Sequence, residues 1–276
     1  MPLGSLRGVS FSLPFVARTR HKGLRAAFAT PLQTRRVIVV GYYNVDVNAN
    51  SAAIIAINID PVSEKTFTLE QLFPTNENTT THGSYGSADQ VRYWDAENEH
   101  YRYFYRLKAT VGKHASKNNM LVEDNTDKDL ANITLKAGDA VFYYAIKKQT
   151  LTIPGQVPNV ASGKLIGGAN LVCAGFPAKW NPNSLGKEFW SDTTKWTSHG
   201  SYGSADQIRW WDKENEKYRY FYLLKATVGK HASKNGLWVE DNTDKDLLEE
   251  EIDVGEGFFF YKQKAGEVIF NSGLAL

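Results

Sequence analysis

The sequence predicts an all-β protein, built of two tandem antiparallel β-sandwich or barrel-like domains related by internal duplication. Two observations support this prediction: a long segment occurs twice, and most apolar segments are short β-branched or aromatic runs between turn residues. We expect a leader or a misassigned start at residues 1–29, then β domains at residues 30–157 and 158–276. Each domain has the length of an ordinary compact domain.

The duplicated segment is nearly unchanged. His82–Leu130 recurs at His199–Leu247, an offset of 117 residues, and only eight of its 49 positions differ. Flanking segments at the same offset keep an apolar pattern but few identities. Surface substitutions usually cost little stability, so a drifting duplicate should change first in its polar parts. The unchanged polar middle therefore indicates a surface used the same way twice; recent copying of the DNA segment is the alternative.

Strand signals are spread along each repeat. Residues 37–47 and 52–59 are β-branched and aromatic runs, separated by the turn-forming NANS. VRYWD (91–95) and HYRYFYRL (100–107) predict a hairpin, whose second strand alternates tyrosine with arginine or phenylalanine. DAVFYYAI and TLTI, parted by KKQ, predict another hairpin near the end of each repeat. The segments TLEQLF and LGKEFW predict one or two helical turns.

Composition excludes several classes of protein. The net charge of +2 argues against a nucleic-acid-binding protein. No apolar run approaches the roughly 20 residues that a membrane helix needs, so no membrane span is predicted. The single cysteine, Cys173, excludes a disulfide framework and is expected to be buried. Ala27-Phe28-Ala29 has the form of a signal-peptidase site, so we expect a secreted, extracellular or cell-surface protein.

Catalytic motifs are weak. His82, Ser84 and Asp89 are residue types of a hydrolase triad, but they crowd into one loop and lack the Gly-x-Ser-x-Gly spacing of a nucleophile elbow. A flexible polar loop explains them more simply. The sequence therefore predicts a protein that is not an enzyme.

The acidic segment EDNTDKDL, present in both copies, has two interpretations. Its alternating oxygen ligands are typical of a calcium loop, although the expected glycine and closing glutamate are missing. A solvated acidic turn is the alternative, because Asp and Asn favour turns. Calcium is the one cofactor considered, with these ligands: Asn125, Asp127, Asp129, Asn242, Asp244 and Asp246.

Aromatic residues give the strongest indication of a contact surface. Neighbouring residues of a strand point to opposite faces, so each Tyr-Trp or Trp-Trp pair should place one ring inside and one outside. Rings beside arginine could bind a glycan or a protein, and burial in the core is the alternative. The predicted ligand or partner contacts are Arg92, Tyr93, Trp94, Tyr101, Tyr103, Arg209, Trp210, Trp211, Tyr218 and Tyr220.

Both ends of the predicted mature chain are apolar β-segments. They could pair within their own domains, or they could add to the open sheet edge of another copy and so build a filament. In the second case the assembly strands contain Val37, Ile38, Val39, Val40, Val268, Ile269 and Phe270.

The layout resembles uncharacterised secreted bacterial proteins built of tandem small β domains. The matching features are the AFA motif, GYYNVDVNANSAAIIAINI, the VRYWD hairpin, and KAGDAVFYY or VGEGFFFY before a final hairpin. The resemblance implies export and a non-catalytic role. We therefore expect a secreted, non-enzymatic structural or cell-surface subunit that assembles with copies of itself. A tandem carbohydrate-binding module is the alternative.

Overall fold

A computed structural model describes residues 39–62, 64–212, 215 and 217–275. They belong to one compact unit, Ile38–Leu276. The expected leader at residues 1–29 and the assembly residues Val37 and Ile38 lie outside the described residues. Below, the first half denotes residues 39–157 and the second half residues 158–275.

The first half consists of short antiparallel strands and one helical turn. Its strands are β1 (Val40–Val47), β2 (Ser51–Ala56), β3 (Phe67–Thr68), β4 (Gln90–Asp95), β5 (His100–Arg106), β6 (Leu121–Glu123), β7 (Thr134–Leu135), β8 (Ala140–Ala145) and β9 (Gln149–Gln156). The helix is α1 (Leu69–Leu72), and single 3-10 turns cover Tyr85–Ser87 and Ala115–Lys117.

The second half repeats most of these elements. Its strands are β10 (Val160–Leu165), β11 (Gly168–Val172), β12 (Gln207–Asp212), β13 (Lys217–Leu223), β14 (Trp238–Glu240), β15 (Phe258–Lys262) and β16 (Val268–Ala275). The helix is α2 (Gly186–Trp190), and 3-10 turns cover Pro182–Leu185, Tyr202–Ser204 and Ala232–Lys234.

Each half builds one five-stranded antiparallel sheet with the same strand arrangement. The order is β2-β8-β4-β5-β6 in the first half and β11-β15-β12-β13-β14 in the second. The predicted hairpin is present in both, with Trp94 opposite Tyr101 and Trp211 opposite Tyr218. The all-β prediction is confirmed.

The second predicted hairpin is wrong. β8 pairs with β2 and β4, whereas β9 pairs with β1 in a separate two-stranded sheet. The segment between β8 and β9 therefore crosses from one sheet to another, and β15 and β16 are separated in the same way. Turn-forming residues mark where a strand ends, but they do not determine which partner the next strand takes.

The short helices form where the sequence predicts them. Thr68 begins α1 through a capping box: its hydroxyl accepts from the Gln71 N–H, and the Gln71 side chain accepts from the Thr68 N–H. Leu69 and Leu72 then face the core.

The two halves have separate cores that are packed differently. The first core contains Ile, Val, Leu and Phe side chains, whereas the second contains four tryptophans: Trp180, Trp190, Trp196 and Trp238. In the first half Arg106, only 2% exposed, donates to Glu70 and to the carbonyl of Phe73. The equivalent position in the second half is Leu223, which packs in the tryptophan-rich core.

The contact between the halves has an approximate two-fold symmetry. The Ala56 N–H donates to the Gly255 carbonyl at 3.1 Å, and at the equivalent positions the Cys173 N–H donates to the Gly138 carbonyl at 2.9 Å. Cys173 is buried here, as its apolar neighbours predict, and burial raises the pKa of its thiol to about 12. Equivalent backbone bonds across the contact mean that the same surface of each half faces the other.

The predicted assembly strands pair within their own halves. β1 pairs with β9 from Val40 to Val47, and the segment Val268–Phe270 of β16 pairs with β10. Among the described residues, each of these strands has one ladder partner, and the other edge of β9 is bonded at Gln156, which exchanges backbone hydrogen bonds with Asp60. Pairing with another copy stays a prediction. Over the same part of the chain, no helix is long and apolar enough to cross a membrane.

Candidate functional site

The predicted aromatic pairs divide between the two faces of their strands. Tyr93 and Trp210 pack against the cores of their own halves. Trp94 and Trp211 stand on the opposite face, where each forms an edge contact with a tyrosine of the neighbouring strand. Strand alternation thus separates core rings from rings available for other contacts.

We call the face of each large sheet that is turned away from its own core the outer face. Cross-strand pairing places tyrosine, arginine and glutamine side by side on it. In the first half it carries Gln90, Arg92, Trp94, Tyr101, Tyr103, Tyr105 and Phe142, and in the second Gln207, Arg209, Trp211, Tyr218, Tyr220, Tyr222 and Phe259.

The outer faces of the two halves meet. The Trp94 indole donates its Nε1–H to the Ala169 carbonyl at 2.7 Å, and its ring centroid lies 6.4 Å from that of Phe259. The ring centroids of Phe142 and Phe259 are 6.0 Å apart. Trp94 is therefore not the freely exposed contact ring that the sequence suggests, because it packs against the other half.

A cleft of 340 Å³ opens beside this contact; we call it the central cleft. It is lined by Trp94, Tyr101, Ala169, Arg209, Tyr218, Tyr220, Phe259 and Tyr261. Five of the ten predicted contact residues are among them. Its volume lies within the usual range for small-ligand sites, which are mostly apolar with a few polar groups.

The other predicted contact residues lie elsewhere. Arg92 and Tyr103 are on the outer face of the first half, away from the cleft lining. Trp211 lines a different groove with Ala52 and Gly257. Sequence reasoning missed Ala169, Phe259 and Tyr261, whose strands lie far from the hairpin in the chain. The run FFFYK could have suggested a further aromatic strand.

Eight of the fourteen tyrosine hydroxyls have no hydrogen-bond partner among the described residues, and four of these eight line the central cleft. Six tyrosines have a hydrogen-bond partner: Tyr43, Tyr85, Tyr105, Tyr143, Tyr202 and Tyr222. Among the described residues, the hydroxyls of Tyr101, Tyr218, Tyr220 and Tyr261 have none. Burial, together with nearby Tyr218 and Tyr103, raises the pKa of Tyr101 to about 12, so this hydroxyl stays protonated. The cleft thus offers four hydroxyls to a ligand.

Arg209 is held in a fixed orientation at the cleft. Its Nε–H donates to the Tyr202 hydroxyl at 2.9 Å, and Nη2 donates to Gln207 Oε1 at 3.3 Å. The Gln207 amide is fixed in turn, donating to the Tyr202 carbonyl at 3.1 Å. The same bonds hold Arg92 in the first half. Such a network orients a guanidinium before any ligand arrives.

The differences between the copies are not spread evenly over the sheet. Four of the eight changed positions face the cores, as the pairs Val91/Ile208, Tyr93/Trp210, Arg106/Leu223 and Leu121/Trp238. None lies on the outer face of β4, β5 or β6. Recent copying of DNA would not confine the changed positions of a strand to one of its two faces. The core residues have changed while the outer residues of β4, β5 and β6 have not. This difference favours a function that both copies of the outer face share.

A second groove, of 400 Å³, is also lined by Trp94 and contains Asp139. Its carboxylate accepts from the Lys136 N–H at 2.9 Å. Burial raises the pKa of Asp139 to about 6, offset in part by the Lys136 amide and charge, and Asp60 raises it further.

This shift predicts a pH dependence of stability. The pKa of folded Asp139 lies above its ordinary value of 3.8, so its contribution to stability is full below about pH 4 and is lost as the pH rises through 6. We expect Asp139→Asn to gain thermal stability relative to the unmodified protein as the pH rises from 4 to 7. Thermal unfolding across this range tests it. A difference in Tm that does not vary with pH would contradict it.

The acidic loops are ordered by local hydrogen bonds. The Asn125 amide donates to Asp129 Oδ2 at 3.2 Å, and the Asn242 amide donates to Asp246 Oδ2 at 3.0 Å. Lysines lie beside the remaining carboxylates, with Lys113 Nζ 3.9 Å from Asp127 and Lys230 Nζ 3.6 Å from Asp244. Among the described residues, no group of three or more His, Cys, Asp or Glu side chains converges to hold a metal ion. The calcium site stays a prediction.

The hydrolase-like loop does not assemble a triad. His82 Nδ1 lies 2.9 Å from the Ser84 hydroxyl, but Asp89 is buried elsewhere. The Asp89 carboxylate accepts from the N–H groups of Thr80 and Ile146, both at 2.9 Å. Asp89 thus fixes the loop to β8 rather than orienting His82.

Comparison with family models, with curated proteins and with solved structures gives no match to this chain. Function is therefore inferred from the central cleft and from the part of the outer faces, on β4–β6 and β12–β14, that is identical in the two halves.

Proposed function

We propose that this protein is a secreted or cell-surface, non-enzymatic β-protein that binds a carbohydrate in the central cleft. The observation that carries the proposal is that the outer faces of β4–β6 and β12–β14 are identical, although the cores beneath them have been repacked. When the core residues beneath a sheet change and the residues on its other face do not, the unchanged face is retained for a reason other than core packing. These unchanged faces meet at the central cleft.

The chemistry of the lining favours a carbohydrate over an apolar ligand. Aromatic rings supply flat apolar surfaces, and unpartnered tyrosine hydroxyls supply hydrogen bonds beside them. A sugar ring offers both kinds of surface, because its C–H groups cover one face and hydroxyls surround its edge. The lining residues stand on sheets, and rigid elements position a binding site more accurately than loops do.

Packing between the halves does not account for every retained ring. Trp94 and Phe259 contact across the halves, so their retention has a structural reason. Tyr103 and Tyr220, however, keep 41% and 43% of their surface exposed. Of these two equivalent rings only Tyr220 lines the central cleft, and its exposure there supports a role in ligand contact.

We expect Tyr220→Ala to weaken carbohydrate binding by about tenfold, which corresponds to about 1.4 kcal/mol. A glycan array identifies a binding saccharide, and isothermal titration then compares the variants. Tyr42→Ala is the matched control, because Tyr42 is 71% exposed on β1 and is not part of the cleft lining. Absence of binding to any saccharide, or equal losses in the two variants, would refute the proposal.

A structural, self-assembling subunit is the second candidate. It is favoured by exposed apolar side chains on the end strands: Val40 is 61% exposed and Ile269 is 64% exposed. The edge of β9 is less suited to assembly, because Pro154 lacks the N–H that a neighbouring strand needs. Light scattering and negative-stain microscopy test this candidate. Monodisperse monomers at high concentration would exclude it.

A further inference from the structure

The arginines of the described chain fall into two groups. Three form ion pairs with glutamates: Arg102 with Glu123, Arg106 with Glu70, and Arg219 with Glu240 and Glu250. The remaining two, Arg92 and Arg209, form no ion pair with any described carboxylate. These two arginines occupy equivalent positions on the outer faces.

Arg209 is the single charged side chain among the residues that line the central cleft. Its hydrogen bonds use Nε and Nη2, so the Nη1 N–H groups have no partner among the described residues. The acceptors that hold it, a tyrosine hydroxyl and a glutamine amide oxygen, are neutral. Its positive charge is therefore oriented but not neutralised by a carboxylate.

The guanidinium lies beside aromatic rings on the same face. Arg209 pairs directly with Tyr220 on one neighbouring strand and with Phe259 on the other. Directly opposed residues of antiparallel strands have Cβ atoms about 5 Å apart. A sugar ring stacked on one of these aromatic rings would place an acidic substituent within reach of the guanidinium.

We infer that the central cleft binds an acidic saccharide, whose carboxylate or sulfate group is bound by Arg209 while its sugar ring contacts the tyrosines. This inference rests on the proposed function and names the class of ligand. A planar guanidinium suits both anions, because it can donate two parallel hydrogen bonds to adjacent oxygens. With no carboxylate in the cleft lining, an acidic ligand meets no like charge there.

The test compares five probes: alginate and polygalacturonate for carboxylates, dextran sulfate for sulfate, mannan for neutral sugars, and poly-L-glutamate for charge without sugar rings. Affinity is measured by isothermal titration for the full chain and for Arg209→Gln, Arg209→Lys and Lys225→Gln. Lys225 is exposed and lies outside the cleft lining, so Lys225→Gln removes one positive charge without altering the cleft.

We expect an acidic polysaccharide to bind, with affinity reduced roughly tenfold or more by Arg209→Gln, less by Arg209→Lys, and little by Lys225→Gln. Preference for alginate or for dextran sulfate would identify the anion. Equal binding of mannan, unaffected by Arg209→Gln, would overturn this inference and leave the proposed function standing. Equal binding of poly-L-glutamate would overturn the saccharide assignment, and absence of binding to every polysaccharide would overturn both.

Discussion

Replacing Gly257 with alanine should destabilise the protein by about 2–3 kcal/mol, the cost of overpacking a filled interior. A Cβ at this position would lie 2.5 Å from Ile54 Cγ2, 2.8 Å from Ala140 Cβ and 3.2 Å from the Val172 carbonyl oxygen. Ile54 and Ala140 belong to the first half and Val172 to the second. No flexible side-chain end is available to move aside, so the two halves must separate slightly to admit the methyl group.

Gly41→Ala is the matched control for this substitution. Gly41 lies in β1, and a Cβ there meets nothing within 4 Å. The control should be neutral or slightly stabilising, because alanine restricts the unfolded chain more than glycine does. Urea unfolding of both variants gives the two free energies of unfolding. If Gly257→Ala were as stable as Gly41→Ala, the close contact between the halves would be wrong.

Replacing Arg106 with leucine should destabilise the protein by about 2 kcal/mol, because the buried carbonyl of Phe73 loses its donor and the Glu70 carboxylate, whose side chain is 38% exposed, loses its ion-pair partner. Arg106 binds Glu70 and also donates to the carbonyls of Phe73 and Asn119. The second half tolerates Leu223 at the equivalent position, where Trp238 occupies the place that Leu121 holds in the first half.

A transplant of the second packing arrangement into the first half provides the control. The triple variant Glu70→Lys, Arg106→Leu and Leu121→Trp copies the residues found at the equivalent positions of the second half. We expect it to recover at least part of the lost stability, because residues in contact are coupled energetically. Thermal and urea unfolding measure the recovery. A triple variant less stable than Arg106→Leu alone would show that the two cores are not alternative solutions for one backbone.

The sequence was sufficient to predict what depends on local periodicity. The alternation from Tyr101 to Arg106 predicted a strand with two unlike faces, and its pairing with residues 91–95 predicted the hairpin. TLEQLF predicted a short helix, and the structure shows that Thr68 and Gln71 begin it through a capping box.

The central cleft could not be predicted because it is formed by tertiary contacts. Ala169 and Tyr261 reach it from β11 and β15, which lie far from the hairpin residues in the chain. The duplication gave no indication that the two outer faces pack against each other. Comparing the two copies also could not show that the changed positions face the cores, because this requires knowing which side of β4 and β5 contacts the core.

Hydroxyl-radical footprinting of the tyrosine side chains, with and without a saturating saccharide, tests the claim of a carbohydrate-binding cleft most directly. We expect lower oxidation of Tyr101, Tyr218 and Tyr220 when the saccharide is bound, with Tyr42 unchanged as the internal reference. Saccharide binding that leaves all three cleft tyrosines as reactive as before, or that protects Tyr42 instead, would contradict it.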